Sequence, residues 1–289
     1  MLTKEQFHAL LAERPLLLDG ATGSNLQKAG MPRGCCTEEW ILAHPQALLD
    51  LQRRYVEAGS KILYAPTFQA QPIALAKVGL EQKTEEINAN LVALTRSAAV
   101  GCLVAGNLTT LAAFTDSWDE GNFDLLVDNY RRQIRGLLDG GADLLAAETL
   151  MYPTEAEAIL CAAELEGAGA AMYTFTMQSD GALFSGRDAG PILRSLEEAG
   201  ASAVGFNCVA ADGLTPGLVS KLRRFVKGPL VCKPNAGVPV IGADQLAHYP
   251  MGSEEFANIV TECAKNGAQI LGGCCGTAPE FIAALRKRL

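Results

Sequence analysis

The chain has 289 residues, of which 49% are hydrophobic and 19% are charged, a composition that indicates a folded protein with a large core and excludes a disordered one. The net charge of -8 is spread along the chain without a lysine and arginine cluster that could neutralise phosphates, so nucleic acid is not an expected partner. A membrane is not expected either, because no uninterrupted apolar run reaches the roughly 18 residues that span a bilayer.

Eight apolar segments recur along the chain and predict buried strands. They are continuous runs and do not alternate with polar residues, as is typical of parallel strands that are covered on both faces. The segments are 16–20, 62–66, 102–108, 144–149, 171–177, 203–208, 230–235 and 270–274.

Helical patterns lie between these strands, and the first long pattern predicts one continuous helix over 38–58. The joints from helix to strand share one form, in which a glycine ends the helix and a small residue precedes the strand. Such a glycine is expected to adopt the left-handed conformation. The four joints are 58–63, 140–145, 199–204 and 266–271.

Strands and helices alternate over the whole length without a linker. This pattern predicts an α/β fold in which residues 1–289 form a single (β/α)8 TIM barrel. A doubly wound sheet is less well supported, because no strand is followed by the glycine fingerprint of a dinucleotide site or by a phosphate-binding loop.

Nine cysteines make an odd count, and the first 15 residues lack the apolar core and cleavage site of a signal peptide. We therefore expect a cytoplasmic protein whose cysteines are packed thiols, metal ligands or nucleophiles, and not disulfides.

Three cysteines stand at the carboxyl ends of predicted strands, where barrel enzymes carry their chemistry. Cys208 ends the sixth strand, and Cys274 and Cys275 follow the eighth within the sequence Gly-Gly-Cys-Cys-Gly. The flanking glycines would let adjacent side chains turn toward one ion. A catalytic zinc has about three protein ligands and one open position, and thiolates favour zinc over magnesium or calcium. The pattern predicts a zinc site at these three cysteines.

The other six cysteines receive a different interpretation. Cys35 and Cys36 are adjacent in the loop after the first strand and have no third partner nearby, so we expect neither to bind the metal. The remaining four lie inside strand or helix patterns and are expected to pack as small hydrophobic side chains: Cys102, Cys161, Cys232 and Cys263.

The three histidines and two loop aromatics are not expected to bind the metal. His8, His44 and His248 lie away from the predicted strand ends, so none is assigned to the metal. Trp118 and Tyr249 lie in loops and are candidates for covers over the site, although loop aromatics often only pack.

Five motifs together resemble the homocysteine S-methyltransferase family. They are DGATGSNLQ at 19–27, GGADLLAAET at 140–149, GFNC at 205–208, KPNAGVP at 233–239 and GGCCGTAPE at 272–280. KPNAGVP, followed by YPMGSEEF at 249–256, is especially similar to the homocysteine-binding module of cobalamin-dependent methionine synthase.

The resemblance implies a barrel that holds zinc through Cys208, Cys274 and Cys275, with the homocysteine thiolate as the exchangeable ligand. Zinc would lower the pKa of the thiol so that a thiolate persists at neutral pH. That sulfur would attack an activated methyl group, and the product would be methionine.

The resemblance also extends to the residues expected to hold the substrate. Glu148 is expected to bind the substrate ammonium, with a salt-bridge or helix-terminal carboxylate as the alternative. The turn beginning at Gly20 and Ala21 would direct backbone N–H groups toward the substrate carboxylate, and Asp19 would orient the turn or the ammonium. An ordinary turn is the alternative reading of that segment.

Two further strand ends have expected roles at the site. Asn235 is expected to take the fourth zinc position when substrate is absent, as its family counterpart suggests. Thr67 is expected to form a hydrogen bond near the substrate, although a threonine at a strand end is often only structural.

The methyl donor is expected to be separate, because a complete cobalamin-dependent methionine synthase carries folate, cobalamin and reactivation modules that are not found here. The KPNAGVP motif favours methylcobalamin on a separate corrinoid protein. S-methylmethionine or a betaine-like donor stays open, as does another small thiol as the acceptor.

Two other functional classes fit these motifs less well. A zinc hydrolase on a barrel usually recruits histidine and carboxylate ligands, and no predicted strand end here is rich in histidine. A non-enzymatic barrel stabilised by zinc would need four protein ligands, whereas three strong ones are found.

Overall fold

The strands of the barrel are those that the apolar segments predict. The structure is a computed structural model that describes residues 1–12, 14–111, 122–242 and 247–289. Each of the eight predicted segments contains one strand, and a short hairpin follows the seventh. The strands are β1 (Leu16–Leu17), β2 (Ile62–Tyr64), β3 (Leu103–Thr109), β4 (Leu144–Leu150), β5 (Ala171–Phe175), β6 (Ala203–Ala210), β7 (Leu230–Asn235), β8 (Val240–Ile241), β9 (Ala247–His248) and β10 (Ile270–Leu271).

Eight of these strands form one parallel sheet in the order β1, β10, β7, β6, β5, β4, β3, β2. A parallel bridge between Leu18 and Ile62 joins the two ends of that order and closes the sheet. Strands β8 and β9 pair with each other in an antiparallel hairpin outside the barrel. The predicted (β/α)8 TIM barrel is confirmed.

Helices connect the strands around the outside. They are α1 (Lys4–Ala9), α2 (Gly23–Lys28), α3 (Thr37–Ala43), α4 (Pro45–Ala58), α5 (Pro72–Ala76), α6 (Thr84–Ala98), α7 (Phe123–Asp139), α8 (Pro153–Leu165), α9 (Ala189–Glu198), α10 (Thr215–Leu222), α11 (Ser253–Lys265) and α12 (Pro279–Arg286), with a 3-10 turn at Glu81–Lys83.

The prediction of one helix over 38–58 was wrong. The segment forms two helices, α3 and α4, which are separated at His44. His44 adopts φ -130° and ψ 57°, and Pro45 is the first residue of α4. Proline lacks an N–H and disfavours a helical conformation in the preceding residue, so the helical hydrogen bonds stop at this point.

The repeated joints have the predicted backbone. Their glycines, at 59, 141, 200 and 267, all have φ values between 82° and 116°. A side chain would strain the backbone in this region, so glycine lets each helix end and the next strand begin three residues after the glycine.

Helix α1 closes the end of the barrel opposite the carboxyl ends of the strands. Phe7 is fully buried in the cluster that fills the barrel interior, together with Leu18, Ile62 and Met172. Leu2 anchors helix α1 to the barrel, because its backbone N–H donates to the Asp143 carbonyl and its own carbonyl accepts the Ala170 N–H. The open end is therefore the one at which the strands terminate. Among the residues described, no helix has the length and apolar character needed to cross a bilayer.

Strand β6 packs against β7 so closely that glycine is required at its third residue. A Cβ on Gly205 would collide with the backbone carbonyl oxygen of Val231, which cannot move without breaking the sheet. We predict that Gly205→Ala lowers the free energy of unfolding by about 2–3 kcal/mol, as overpacking does. Urea denaturation checks this. The control is Gly213→Ala, whose Cβ would meet no atom within 4 Å; equal stability of the two variants would contradict the prediction.

Candidate metal and substrate site

The loops at the open end of the barrel surround a cavity of about 540 Å³. This volume lies within the usual range for a small-molecule site. The side chains that matter for chemistry come from the ends of strands far apart in sequence. They are Asp19, Tyr64, Asn107, Glu148, Thr149, Cys208, Lys233, Cys274 and Cys275, with Tyr249 beside them.

The three predicted cysteines meet in this cavity. The Sγ atom of Cys208 lies 3.5 Å from that of Cys274 and 3.6 Å from that of Cys275, and all three sulfurs lie within 4.8 Å of one another. A tetrahedral ion with Zn–S bonds of about 2.3 Å holds its sulfurs about 3.8 Å apart. The sulfur positions therefore fit a tetrahedral thiophilic metal, and among the described residues only these three form such a cluster of potential ligands.

Cys208 reaches the cavity because of an irregularity in β6. The pairing of β6 with β7 shifts register between Asn207 and Ala210, and Cys208 has φ 58°. A left-handed conformation costs a residue other than glycine of the order of 1–3 kcal/mol, and such strain is common at functional sites. The bulge turns the Cys208 side chain toward the mouth of the barrel. In a regular strand, the alternation of side chains would direct it to the other side of the sheet.

Strand β4 carries a second irregularity of the same kind. Its pairing with β5 shifts between Ala147 and Leu150, and Thr149 also has φ 58°. Asn207 joins the two bulges, because its Oδ1 accepts from the Thr149 N–H at 2.7 Å and its Nδ2 donates to Thr149 Oγ1 at 2.7 Å. The same amide nitrogen lies 3.7 Å from Cys274 Sγ. This fully buried asparagine thus links the two strained residues to the sulfur cluster.

The Cys274–Cys275 turn is held by one backbone and one side-chain acceptor at the end of β7. The Cys274 N–H donates to the Pro234 carbonyl at 2.7 Å, and the Cys275 N–H donates to Asn235 Oδ1 at 3.0 Å. The predicted role of Asn235 as a fourth metal ligand stays a prediction, since in this structure its amide oxygen supports the turn. Gly276, at φ 80°, is pressed against the Tyr249 ring, which leaves no room for a side chain there.

Glu148 lies at the bottom of the cavity and already has partners. Its Oε1 accepts from Asn107 Nδ2 at 2.9 Å, and its Oε2 lies 3.0 Å from Lys233 Nζ in an ion pair. Glu148 is 7% exposed and Lys233 is 4% exposed. The predicted contact of Glu148 with a substrate ammonium therefore stays a prediction, and it has to accommodate a lysine that the sequence did not single out.

Asp19 is the second carboxylate of the cavity and is only 1% exposed. Its Oδ2 accepts the Tyr64 N–H at 2.8 Å, whereas its Oδ1 has no hydrogen-bond partner. Burial raises the pKa of this carboxyl to about 7, although the nearby charge of Lys233 opposes the increase. Asp19 thus offers an unused acceptor atom to a ligand.

The turn after Asp19 is tied to the cysteine turn. The Ala21 N–H donates to Thr277 Oγ1 at 3.2 Å, and Asn25 Nδ2 donates both to the Ala21 carbonyl at 2.8 Å and to the Thr277 carbonyl at 2.9 Å. A Cβ on Gly20 would lie 2.7 Å from both Thr277 Oγ1 and the Tyr55 hydroxyl, so the close approach requires glycine. Gly20 and Ala21 line the cavity as expected, but the Ala21 amide is already used within the protein.

Thr67 lies beneath the cavity, and its side chain bridges two strands. Its hydroxyl donates to the Asn107 carbonyl at 2.8 Å and accepts the Asn107 N–H at 3.0 Å. Thr67 is fully buried and is not among the residues that line the cavity. Its expected hydrogen bond to substrate stays a prediction, and the contacts present position the Asn107 that binds Glu148.

The other candidates fall at the edges of the site. Cys36 directs its thiol toward Glu38, 3.7 Å away, and that buried carboxylate lines the outer cavity wall; Cys35 donates to the Pro32 carbonyl. Tyr249 lines the cavity as a cover residue would, whereas Trp118 lies outside the described residues.

Sequence reasoning missed Lys233, Asn207 and Asn107 as site residues. Lys233 lies in the KPNAGVP motif and Asn207 in the GFNC motif. A charged or amide side chain inside an otherwise apolar strand was the sequence signal that could have identified them.

Comparisons with known proteins identify the family of this chain. The sequence profile of the family described as homocysteine S-methyltransferase matches residues 16–289. The chain is 28% identical to a homocysteine S-methyltransferase of Escherichia coli, over 94% of each chain. It is 27% identical to the methionine synthase of Mycobacterium leprae over 94% of its own length but spans only 24% of that relative.

Solved structures give the same picture. The metallated form of the homocysteine methyltransferase MmuM from Escherichia coli superposes with a TM-score of 0.84 at 27% identity, covering 98% of this chain and 99% of that one. The apo form of the same protein superposes with a TM-score of 0.76, also at 27% identity, with 98% of each chain covered.

The position of Asn207 generates a prediction about metal affinity. Asn207→Ala removes the contacts that hold Thr149 and the neighbourhood of Cys208 and Cys274, so the affinity for Zn²⁺ should fall about 10- to 100-fold, as it does when groups supporting metal ligands are lost. Competition with a chromogenic chelator measures the affinity. Asn266→Ala, at the opposite end of the barrel, is the control; unchanged affinity in Asn207→Ala would show that Asn207 does not support the ligands.

Proposed function

This chain belongs to the homocysteine S-methyltransferase family, and we propose that it transfers a methyl group to the sulfur of homocysteine to give methionine. The observation that carries the proposal is the meeting of three cysteine sulfurs with the buried carboxylates of Asp19 and Glu148 in one cavity. The sulfurs provide a place to hold a thiol, and the carboxylates provide acceptors for an amino group. A zinc-dependent acceptor site for a thiol amino acid needs both.

We assign Zn²⁺ to Cys208, Cys274 and Cys275. Soft sulfur donors favour zinc over oxygen-preferring cations, and the sulfur separations fit its bond lengths. When bound, zinc would lower the pKa of an incoming thiol so that the thiolate persists at neutral pH.

The chain's own residues would hold the rest of the substrate. Asp19 Oδ1 is an acceptor without a partner for the ammonium, and Glu148 would approach the same ammonium from within its ion pair with Lys233. The turn from Gly20 to Gly23 lines the cavity, and its N–H groups other than that of Ala21 would face the substrate carboxylate. In the transfer, the sulfur–methyl bond forms as the donor–methyl bond breaks. The electron pair of the broken bond stays with the donor, and the thiol proton goes to solvent.

The site itself favours methyl transfer over the two other classes. A hydrolytic zinc usually has histidine and carboxylate ligands, and no histidine lines the described part of this cavity. A purely structural zinc is closed by four protein ligands, whereas the cluster found among the described residues has three.

For the methyl donor we propose methylcobalamin on a separate corrinoid protein, following the motif similarity to methionine synthase. Exposed apolar side chains beside the cavity, at Val238, Val240 and Ile241, suit the approach of a protein. A small onium donor such as S-methylmethionine or a betaine-like compound is the alternative. The buried Glu38 carboxylate and the Phe68 ring on the outer wall favour a small cation.

The first test is methionine formation from homocysteine by the zinc-loaded enzyme. Cys274→Ser should reduce kcat/KM by at least about a thousandfold, as the loss of several kcal/mol of transition-state stabilisation requires. Cys161→Ser, a half-buried cysteine of α8, serves as the control. X-ray absorption should show one additional zinc–sulfur contact when homocysteine is added. Full activity of Cys274→Ser, or an unchanged sulfur count at saturating homocysteine, would contradict the proposed function.

A donor panel decides between the donor classes. Homocysteine is supplied with free methylcobalamin, a methylated corrinoid protein, S-methylmethionine or glycine betaine, and methionine is quantified. We expect transfer from the corrinoid protein. Transfer from S-methylmethionine or betaine alone would replace the corrinoid donor with the small onium class and leave the acceptor chemistry intact.

The raised pKa of Asp19 generates a prediction about pH. An ionised Asp19 attracts an ammonium group and a protonated one does not, so the affinity for L-methionine, which has no free thiol, should decrease as the pH falls through about 7. The slope should approach about tenfold per pH unit below that pKa. Titration calorimetry measures the affinity. Asp19→Asn should bind weakly without this pH step, and Asp50→Asn, an exposed aspartate of α4, should behave like the wild type.

A further inference from the structure

Lys233 is a buried cation whose place in the cavity calls for an explanation. It ends in an ammonium group 3.0 Å from Glu148 Oε2 and 4.7 Å from the centroid of the Tyr64 ring. Removing a lysine from water is unfavourable unless opposite charge compensates for it. The Tyr64 ring and the Glu148 carboxylate provide that compensation, and Lys233 also lines the cavity.

The charges at the bottom of the cavity do not balance. Above pH 7, where Asp19 is ionised, two buried carboxylates, Asp19 and Glu148, face one buried ammonium group, so the three side chains together are short of one positive charge. Their hydrogen bonds are short of one donor as well. Both oxygens of Glu148 have donors, from Asn107 and Lys233, whereas Asp19 Oδ1 has none. One ammonium group placed at Asp19 Oδ1 would supply both the positive charge and the hydrogen-bond donor.

We propose that Lys233 is a specificity-determining residue that neutralises Glu148 from within the protein, so that the cavity accepts a ligand with a single ammonium group at Asp19. This inference rests on the proposed function, because it takes the ligand to be a thiol amino acid or its methylated product. Lys233 acts through Glu148 and needs no contact with the reacting sulfur. The cavity then recognises its ligand by a count of charges as well as by shape.

Two other roles for Lys233 fit the contacts less well. A general base needs a free lone pair, and an amine ion-paired to a buried carboxylate keeps its proton. A contact with the substrate carboxylate would bring a third carboxylate next to Glu148 and within the influence of Asp19, against their like charge.

The test compares ligands that lack one group each. Binding of L-methionine, of 4-(methylthio)butanoate, which lacks the amine, and of 3-(methylthio)propylamine, which lacks the carboxylate, is measured by calorimetry. The proteins are the wild type, Lys233→Met, Glu148→Gln and the double variant. Calorimetry needs neither a methyl donor nor turnover, and homocysteine methylation by the wild type is assayed in parallel.

The charge count predicts an order for the preference for methionine over its amine-free analogue. Glu148→Gln brings the three side chains to zero net charge. The remaining charges, on Asp19 and Lys233, then compensate each other, so the preference for methionine over 4-(methylthio)butanoate should fall at least about tenfold. Lys233→Met leaves two unbalanced carboxylates and should keep or increase the preference while binding 4-(methylthio)butanoate at least about tenfold more weakly. The double variant restores the single negative charge and should return to within about threefold of the wild-type ratio, a non-additive result.

Each outcome bears on the proposal. A Lys233 that only supports the fold would change the affinity for all three ligands equally, and additive effects in the double variant would overturn the proposal. Selective loss of the carboxylate-bearing ligands in Lys233→Met, with 3-(methylthio)propylamine unaffected, would instead make Lys233 a carboxylate contact and also overturn it. Absence of homocysteine methylation and of methionine binding in the wild type would reject the proposed function itself, and this result is distinct from either of those.

Discussion

The burial of negative charge at one end of the barrel is the constraint on which the rest of the site depends. Three cysteine sulfurs and the carboxylates of Asp19 and Glu148 converge within a single cavity; both carboxylates and Cys274 are buried, and Cys208 and Cys275 are half-buried. Groups of like charge can share such a space only if cations or protons compensate for them. Lys233 supplies one cation from the chain itself, and a metal ion and a ligand ammonium group would supply the others. The charge at this end of the barrel thus favours cationic partners over anionic ones.

Local backbone strain is what brings these groups together. Regular strands would alternate their side chains between the barrel interior and the helices, but β4 and β6 each contain a bulge with a residue at φ 58°. Glu148 and Cys208 stand next to or within these bulges, and Asn207 joins the two with a pair of hydrogen bonds. Such strain persists only where the surroundings over-determine it, as a fully buried asparagine with several partners does. The same contacts thus stabilise the strained backbone and position the ligands.

The fold was largely predictable from the sequence, and the site only partly. Continuous apolar runs and glycine joints are local signals, so the eight strands and the barrel followed from them. The three cysteines could be grouped because strand ends of a barrel share one rim. The long helix at 38–58 failed because Pro45 was given too little weight. Lys233 and Asn207 were missed because their significance lies in partners such as Glu148 and Thr149, which are 58 to 85 residues away along the chain. The spacing of these residues along the sequence does not indicate the pairings, because only the closed barrel brings the partners together.

The hydrogen bond between Ala21 and Thr277 has a consequence for biosynthesis. It joins residues 256 positions apart, so the substrate turn and the cysteine turn are fixed against each other only when the last strand has been added. Cys208 leaves the ribosome well before Cys274, and a lone thiol offers a metal little of the chelate advantage that three converging thiolates provide. A growing chain would therefore not capture the metal stably at an intermediate length. Retention of an ion at the three cysteines would report that β6 and the Cys274–Cys275 turn have come together.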